Sequence, residues 1–174
     1  FQELLDGNFI NPTEDRKVSH TLYRAQSDSI TDKFILNERN KFNDFLSSLK
    51  TEGNVKNIIC LGIGGSRLGP ELLCEFQSNK GPFNVFFCSS YDLLELKAVL
   101  ELCKQEETIV IASSKSFTTS EVLRNLRFVK DWYKENQNLN LIDYLYGISA
   151  DPIAMDAFGI KKENQFLLLQ SLGG

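Results

Sequence analysis

The chain has 174 residues and a net charge of −4, and 42% of its residues are apolar and 24% charged. This length and composition suit one compact globular domain with a buried core. The negative net charge argues against nucleic acid as a main partner, because binding a duplex requires a basic face. A small anion is compatible with this charge, since a local cluster of backbone N–H groups can bind one. The sequence has no run of about 18 apolar residues, which argues against a membrane span.

The four cysteines favour free thiols over a metal site. Cys60, Cys74, Cys88 and Cys103 lie 14 to 15 residues apart, none belongs to a C-x-x-C pair, and the chain has one histidine. Zinc sites need closely spaced Cys and His ligands, so we predict no metal site. We expect four reduced, buried thiols that act as small hydrophobic side chains, as in a cytoplasmic protein.

The first 50 residues are predicted to form an irregular lead-in followed by helices. Residues 1–12 have no periodic pattern. Residues 13–26 begin with a threonine, a good N-cap, and with two acidic residues in the first turn, which favours a helix. In residues 31–49 the apolar side chains recur on one face of a helix. We predict that residues 1–50 precede a ligand-binding domain formed by residues 51–174.

After residue 51, short apolar runs alternate with helical segments. Continuously apolar strands that alternate with helices are typical of a parallel sheet covered by helices on both faces. We therefore predict an α/β fold with a doubly wound, flavodoxin-like parallel sheet of about five strands and an N-terminal helical extension. The predicted strands are 55–63, 85–88, 108–112, 144–149 and 166–169. The predicted helices are 68–77, with Pro70 in its first turn, 93–104, 121–135 and 152–158.

A glycine-rich turn, Gly62–Pro70, follows the first predicted strand and reads GIGGSRLGP. Its glycines let backbone N–H groups approach an anion closely, the start of the next helix adds unpaired N–H groups, and Ser66 adds a hydroxyl. The segment is not a dinucleotide-binding fingerprint, which needs glycine where Arg67 stands. It is not a Walker A loop either, because that loop needs lysine after Gly69. The turn alone leaves open whether it binds an anion or only connects a strand to a helix.

A hydroxyl-rich loop follows the third predicted strand. Residues 113–121 read SSKSFTTSE, in which six hydroxyl-bearing residues surround Lys115 at the entry to a helix. Hydroxyls and helix-start amides can surround a phosphate. The alternative is a solvated loop that caps the helix, since Ser and Thr favour helix N-termini. Because ligands bind beyond the carboxyl ends of parallel strands, we expect this loop and the glycine-rich turn to converge on one site.

Five ordered segments of the chain match the motifs of one enzyme family. Gly62–Pro70 is similar to a GIGGS-x-LGP motif, and Ser114–Glu121 is similar to an SKTFTT-x-E motif. Asn11–His20 resembles an N-x-TE-x-R-x-VLH stretch, and Val85–Asp92 resembles a strand with its following turn. Residues 158–174 resemble an FGI…EN-x-F…VGG run. These motifs, in this order over nearly the whole chain, resemble the glucose-6-phosphate isomerase (phosphoglucose isomerase) family.

The resemblance implies a sugar-isomerase (SIS) domain with a five-stranded parallel sheet. It also implies the interconversion of glucose 6-phosphate and fructose 6-phosphate through an enediol, in glycolysis and gluconeogenesis, without a metal or an organic cofactor. A full-length family member is expected to be a cytoplasmic homodimer that binds these sugar phosphates and neither nucleic acid nor membrane.

The resemblance also assigns roles to individual residues of the two loops. Gly65 and Lys115 are expected to line the sugar side of the site, and Glu121 is expected to line the pocket in a role that the motif does not specify. The chain departs from the family pattern at Arg67, where aspartate is frequent, and has serine for threonine at one of the phosphate-binding positions. The matching phosphate-binding residues are Ser66, Ser114, Ser116 and Thr119.

The main catalytic groups of the family are expected beyond this chain. The resemblance implies that an arginine follows Gly174, and that the glutamate base, a histidine that helps to open the sugar ring and a late lysine lie further on. We therefore interpret the chain as a truncated first half and expect it to be inactive alone. His20 lies in the N-terminal motif and is interpreted as structural, because proton transfer between sugar carbons needs a positioned base.

Two other functions are compatible with parts of the sequence. A non-catalytic, regulatory SIS-type module shares the sheet and the serine-rich loop, but it does not predict the N-terminal motif or the C-terminal run. A nucleotide-binding domain is compatible with Asp92 beyond the second strand. However, the glycine-rich turn matches neither the dinucleotide-binding fingerprint nor the Walker A motif.

Overall fold

The structure, a computed structural model, describes residues 30–76 and 81–171. The predicted helix at 13–26 and the N-terminal motif that contains His20 lie outside the described residues, as does the end of the C-terminal motif. Among the described residues, no helix combines the length and the apolar character that crossing a membrane requires.

Five parallel strands form one sheet in the order β2-β1-β3-β4-β5. The strands are β1 (Asn57–Leu61), β2 (Asn84–Cys88), β3 (Thr108–Ser113), β4 (Leu145–Ser149) and β5 (Gln165–Leu167). This order is that of a doubly wound, flavodoxin-like sheet, so the predicted fold class is confirmed. Because β1 pairs with β3 along its whole length, the loops that follow these two strands leave the sheet side by side.

In the described part of the chain, six helices surround the sheet, and every helix predicted there is present. The helix predicted from residue 68 begins three residues earlier, so Pro70 lies inside the helix and not in its first turn as expected. The early start follows from Gly64, whose positive φ of 54° turns the chain into the helix directly after the strand. The short helix α5 was not predicted. The helices are α1 (Ile30–Glu52), α2 (Gly65–Phe76), α3 (Leu94–Leu102), α4 (Ser120–Lys134), α5 (Leu141–Tyr144) and α6 (Pro152–Phe158).

The two faces of the sheet hold separate apolar cores, which explains the continuously apolar strands. On one face, Ile58 and Ile109 pack with Leu49 of α1. On the other face, Ile59 and Val110 are fully buried in a larger cluster that includes residues of α3, α4 and α6. Alternate residues of each strand therefore enter opposite cores. Burying one such side chain contributes about 1.5–3 kcal/mol, so both helical layers stabilise the sheet.

Helix α1 packs against the sheet edge at β5. The rings of Phe42 and Phe166 meet edge to face with their centroids 5.1 Å apart. The Lys41 ammonium donates to the Gln165 carbonyl at 2.6 Å, and the Leu167 N–H donates to the Glu38 carboxylate at 2.8 Å. The predicted N-terminal extension thus ends in a helix that satisfies backbone groups of the edge strand.

Helix α2 differs from the others because none of its residues is buried. Its apolar side chains form a stripe at helical spacing that remains exposed, to 65% for Leu68, Leu72 and Leu73 and to 85% for Phe76. Core packing therefore contributes little to the position of α2 within the described part of the chain.

Candidate functional site

The glycine-rich turn and the hydroxyl-rich loop touch at the carboxyl edge of the sheet. Leu61 and Ala112 are paired in register, so Gly62 begins the first loop beside the point where Ser113 begins the second. A Cβ on Gly62 would lie 3.3 Å from the Ser113 carbonyl oxygen and 3.0 Å from the Ser66 Cβ. Only glycine fits this approach without displacing a neighbour. The expected convergence of the two loops is therefore confirmed.

The first loop presents unpaired backbone N–H groups at the start of α2. The Gly64 carbonyl accepts from the N–H groups of Arg67 at 3.1 Å and Leu68 at 2.9 Å, and the Ser66 N–H donates to Ile63. Within residues 30–76 and 81–171, the N–H groups of Gly64 and Gly65 have no acceptor. No acidic residue lies in the first turn of α2 to compete for the helix dipole. The turn can therefore receive an anion.

Phe117 shapes the second loop. Its φ of 52° lies in the left-handed region, which costs a non-glycine residue about 1–2 kcal/mol. The side chain is buried, and its ring meets that of Phe158 in α6 at a centroid distance of 6.1 Å. Burial of an aromatic side chain contributes about 1.5–3 kcal/mol, which offsets the backbone cost. A buried anchor thus holds the loop in a tight turn that its polar residues alone would not favour.

The hydroxyls of the second loop bond to one another. The Ser114 Oγ lies 2.7 Å from the Thr119 Oγ1, and the Ser116 Oγ lies 2.7 Å from the Thr118 Oγ1. Thr119 is the N-cap residue of α4, but its side chain accepts no hydrogen bond from the helix. The alternative of a simple capping loop is therefore not supported at Thr119. Its hydroxyl faces Ser114, and the first amides of α4 are left to other acceptors.

The backbone of Lys115 is held by the end of β4. Its carbonyl accepts from the Ala150 N–H at 2.9 Å and from the Ser149 Oγ at 2.8 Å. The Ser149 side chain is fully buried, and its role was missed in the sequence, although a serine at the carboxyl end of a predicted strand is a recognisable signal. The ends of three adjacent strands, β1, β3 and β4, thus contribute to the site. The Lys115 side chain is itself half-buried.

Glu121 lies in the first turn of α4. Its own backbone N–H and the Ser120 hydroxyl, which donates at 2.9 Å, hold the pKa of its carboxyl below the ordinary value. The group is therefore ionised at neutral pH. A carboxylate with a lowered pKa is a weak proton acceptor, so this geometry does not suit Glu121 to act as the main general base.

The four cysteines are free thiols, as predicted, but only one of them is fully buried. All four are free, Cys88 is buried, and Cys60 and Cys103 are half-buried. Cys74 is exposed, so the expectation of four buried thiols is wrong there, because the side chains of α2 are not packed. Burial raises the pKa of both Cys60 and Cys88 to about 12. The described residues contain no group of three or more His, Cys, Asp or Glu side chains that could hold a metal ion.

A doubly wound sheet with its candidate site on strand-end loops defines the class of α/β ligand-binding domains. Within that class, a family model described as phosphoglucose isomerase matches residues 1–174, and the chain belongs to this family. The resemblance found in the five sequence motifs is therefore confirmed.

Relatives of known activity match nearly the whole chain. A glucose-6-phosphate isomerase of Hydrogenovibrio crunogenus is 31% identical over 98% of the chain and 35% of that protein. The isomerase of Paraburkholderia phymatum is 34% identical over 97% of the chain and 33% of that protein. The chain thus spans about a third of the length of these curated relatives. A crystal structure of a glucose-6-phosphate isomerase from Chlamydia trachomatis superposes with a TM-score of 0.85 at 24% identity, over 99% of the chain and 35% of that structure, which supports the fold.

Proposed function

We propose that the chain is the phosphate-binding part of a glucose-6-phosphate isomerase, an aldose–ketose isomerase that interconverts glucose 6-phosphate and fructose 6-phosphate through an enediol. The observation that carries the proposal is the contact between a turn with unpaired N–H groups and a loop of hydroxyls, at one edge of a sheet that belongs to this family. Family membership favours the enzyme over a regulatory SIS module, because the match extends to the N-terminal segment.

In this proposal the two loops hold the phosphoryl group of the substrate. The hydroxyls of Ser66, Ser114, Ser116 and Thr119 and the amides at the start of α2 donate hydrogen bonds to its oxygens. Each hydrogen bond to a charged group contributes about 1.5–3 kcal/mol. The phosphoryl group is remote from the carbons that react, so its binding energy serves to position them.

The sugar lies, in the same proposal, beside Gly65 and Lys115. The glycine allows close approach of the sugar, and the lysine supplies a positive charge where negative charge develops on the enediol oxygens. Glu121 lines the pocket as an ionised carboxylate that can accept hydrogen bonds from sugar hydroxyls. In this proposal the proton-transfer base lies in the further length that the curated relatives have, as the family resemblance implies.

We further propose that the full-length protein is a cytoplasmic homodimer, as the family resemblance implies. Sedimentation of the full-length protein at several concentrations tests this. A monomer at all concentrations would contradict it.

The Thr119→Val variant of the full-length protein tests the phosphate site. The variant keeps the side-chain shape but removes the hydroxyl, and we expect the KM for fructose 6-phosphate to rise about tenfold or more. Coupled assay of glucose 6-phosphate formation measures both KM and kcat. The matched control is Thr51→Val, since that hydroxyl donates to the Ser47 carbonyl on α1, away from the site. An unchanged KM in Thr119→Val would contradict the phosphate assignment, and a folded wild-type protein without turnover would refute the isomerase itself.

A further inference from the structure

Arg67 joins three elements directly beside the candidate phosphate turn. Its guanidinium binds the Glu71 carboxylate on α2 with two bonds, of 2.8 Å from Nε and 3.0 Å from Nη2. Its Nη1 donates to the Ser89 hydroxyl in the turn after β2 at 2.5 Å and lies 3.0 Å from the Glu95 carboxylate on α3. Ser66, the preceding residue, belongs to the proposed phosphate site. The side chain therefore ties the start of α2 to two neighbouring elements.

The turn after β2 is itself firmly held, so it can serve as an anchor. The second oxygen of the Glu95 carboxylate accepts from the N–H groups of Ser89 at 3.1 Å and Ser90 at 3.4 Å. From the other side, the buried Asn125 of α4 donates to the Ser90 carbonyl at 3.3 Å. Arg67 thus attaches the first loop to a turn that two further helices fix.

The cluster is built to hold a backbone and not to attract an anion. Two carboxylates face one guanidinium, which leaves the cluster with a net negative charge. The same pairing holds the pKa of Glu71 below its ordinary value. Planar two-point pairing with the Glu71 carboxylate fixes the direction of the guanidinium.

The first loop needs such a tether. Gly62, Gly64 and Gly65 restrict the backbone less than other residues do, so ordering them costs more conformational entropy. Helix α2 buries no residue among those described, so packing does not hold its first turn in place. The contacts of Arg67 offset the entropy cost of ordering these glycines and replace the packing that α2 lacks.

We propose that Arg67 is a positioning residue of the phosphate site. Its guanidinium holds the start of α2 against the β2 turn and α3, so that the Gly64 and Gly65 N–H groups keep the arrangement that receives the phosphoryl group. This inference rests on the proposed function for the identity of the ligand. It assigns to Arg67 a role through the loop and not a contact with the substrate.

Glu95→Gln in the full-length protein separates positioning from direct binding. If Arg67 were a phosphate ligand, weakening its carboxylate partner would free the guanidinium and tighten phosphate binding. If Arg67 positions the loop, the same change weakens binding. We expect the inhibition constant of inorganic phosphate and the KM for fructose 6-phosphate to rise about tenfold in both Glu95→Gln and Arg67→Met. Arg67→Lys is expected to recover little of the phosphate affinity that Arg67→Met loses, because lysine cannot reproduce the two-point pairing.

Hydrogen exchange provides a readout that does not depend on turnover. We expect faster amide exchange across residues 62–68 in Arg67→Met and Glu95→Gln, and the double variant should exchange no faster than the single ones. The matched controls are Glu75→Gln on α2 and Arg127→Met on α4, both exposed residues outside the cluster, which should leave exchange and phosphate affinity unchanged. Tighter phosphate binding in Glu95→Gln, or wild-type exchange in Arg67→Met, would overturn the inference. A wild-type protein that lacks isomerase activity would refute the proposed function but would leave the exchange test in force.

Discussion

Adding one methyl group at Gly62 should separate the two loops of the candidate site. An alanine Cβ there would lie 3.0 Å from the Ser66 Cβ, 3.1 Å from the Ser66 carbonyl oxygen and 3.3 Å from the Ser113 carbonyl oxygen. Gly62 has no positive φ, so Gly62→Ala introduces a steric conflict without backbone strain. The neighbours are backbone atoms or the first side-chain atom. A change of rotamer cannot relieve the conflict, and one loop must move.

The cost of this conflict is about 1–3 kcal/mol, the usual range for an extra methyl group in a well-packed site. If the loops separate, the cost appears as lost affinity for phosphate, at tenfold for about every 1.4 kcal/mol. If they stay in contact, it appears as lost stability. Either outcome would show that the glycine-rich turn and the hydroxyl-rich loop are in close contact at Gly62.

The assay combines the KM for fructose 6-phosphate with thermal unfolding of the full-length protein. Gly69→Ala is the matched control, because a Cβ at Gly69 meets nothing within 4 Å and the residue lies inside α2. Alanine is favoured over glycine in a helix by about 0.5–1 kcal/mol, so this control should be neutral or slightly stabilising. If Gly62→Ala kept both the KM and the melting temperature of the wild-type protein, the two loops could not be in close contact at this point.

Two further predictions concern stability and association. The pKa of Cys60 and Cys88 is raised to about 12 from an ordinary 9.0, so the fold favours the protonated thiols. Their contribution to stability is present below pH 9.0 and is lost as the pH rises towards 12. In urea unfolding at increasing alkaline pH, the free energy of unfolding should fall less in Cys88→Ala than in the wild-type protein. The same pH dependence in the variant and the wild type would contradict this. The exposed stripe on α2 should make the isolated 174-residue chain self-associate, and Leu72→Glu should reduce the association more than Leu102→Glu, an exposed site on α3. Equal sedimentation of the two variants would count against a role for the stripe.

The order of secondary-structure elements was predictable because it depends on local patterns. The helix over 31–49 shows an apolar period of helical type, and the structure has α1 there with Phe45 and Leu49 turned towards the sheet. The strand over 108–112 is a short continuous apolar run, and β3 occupies it within one residue. The spacing of apolar residues within a segment indicates whether one or both of its faces are buried, and this spacing can be read from neighbouring residues in the sequence.

Local patterns predicted the wrong details where long-range packing decides. Cys74 lies in an apolar helical stretch and was expected to be buried, but α2 leaves its side chains exposed. The burial of a helical side chain depends on which distant segments of the chain pack against that helix, and the local pattern around Cys74 does not report this.

The sequence by itself determined the class of sheet, the positions of the two ligand-type loops and the family to which their motifs belong. These follow from periodicity, from glycine and from hydroxyl residues at the ends of strands, all of which act within a few residues. The tertiary structure alone decided that the Gly62 backbone touches Ser113 and that Arg67 pairs with Glu95, 28 residues away. Such contacts depend on the order of the strands in space, which brings β1, β2 and β3 together although they are far apart along the chain.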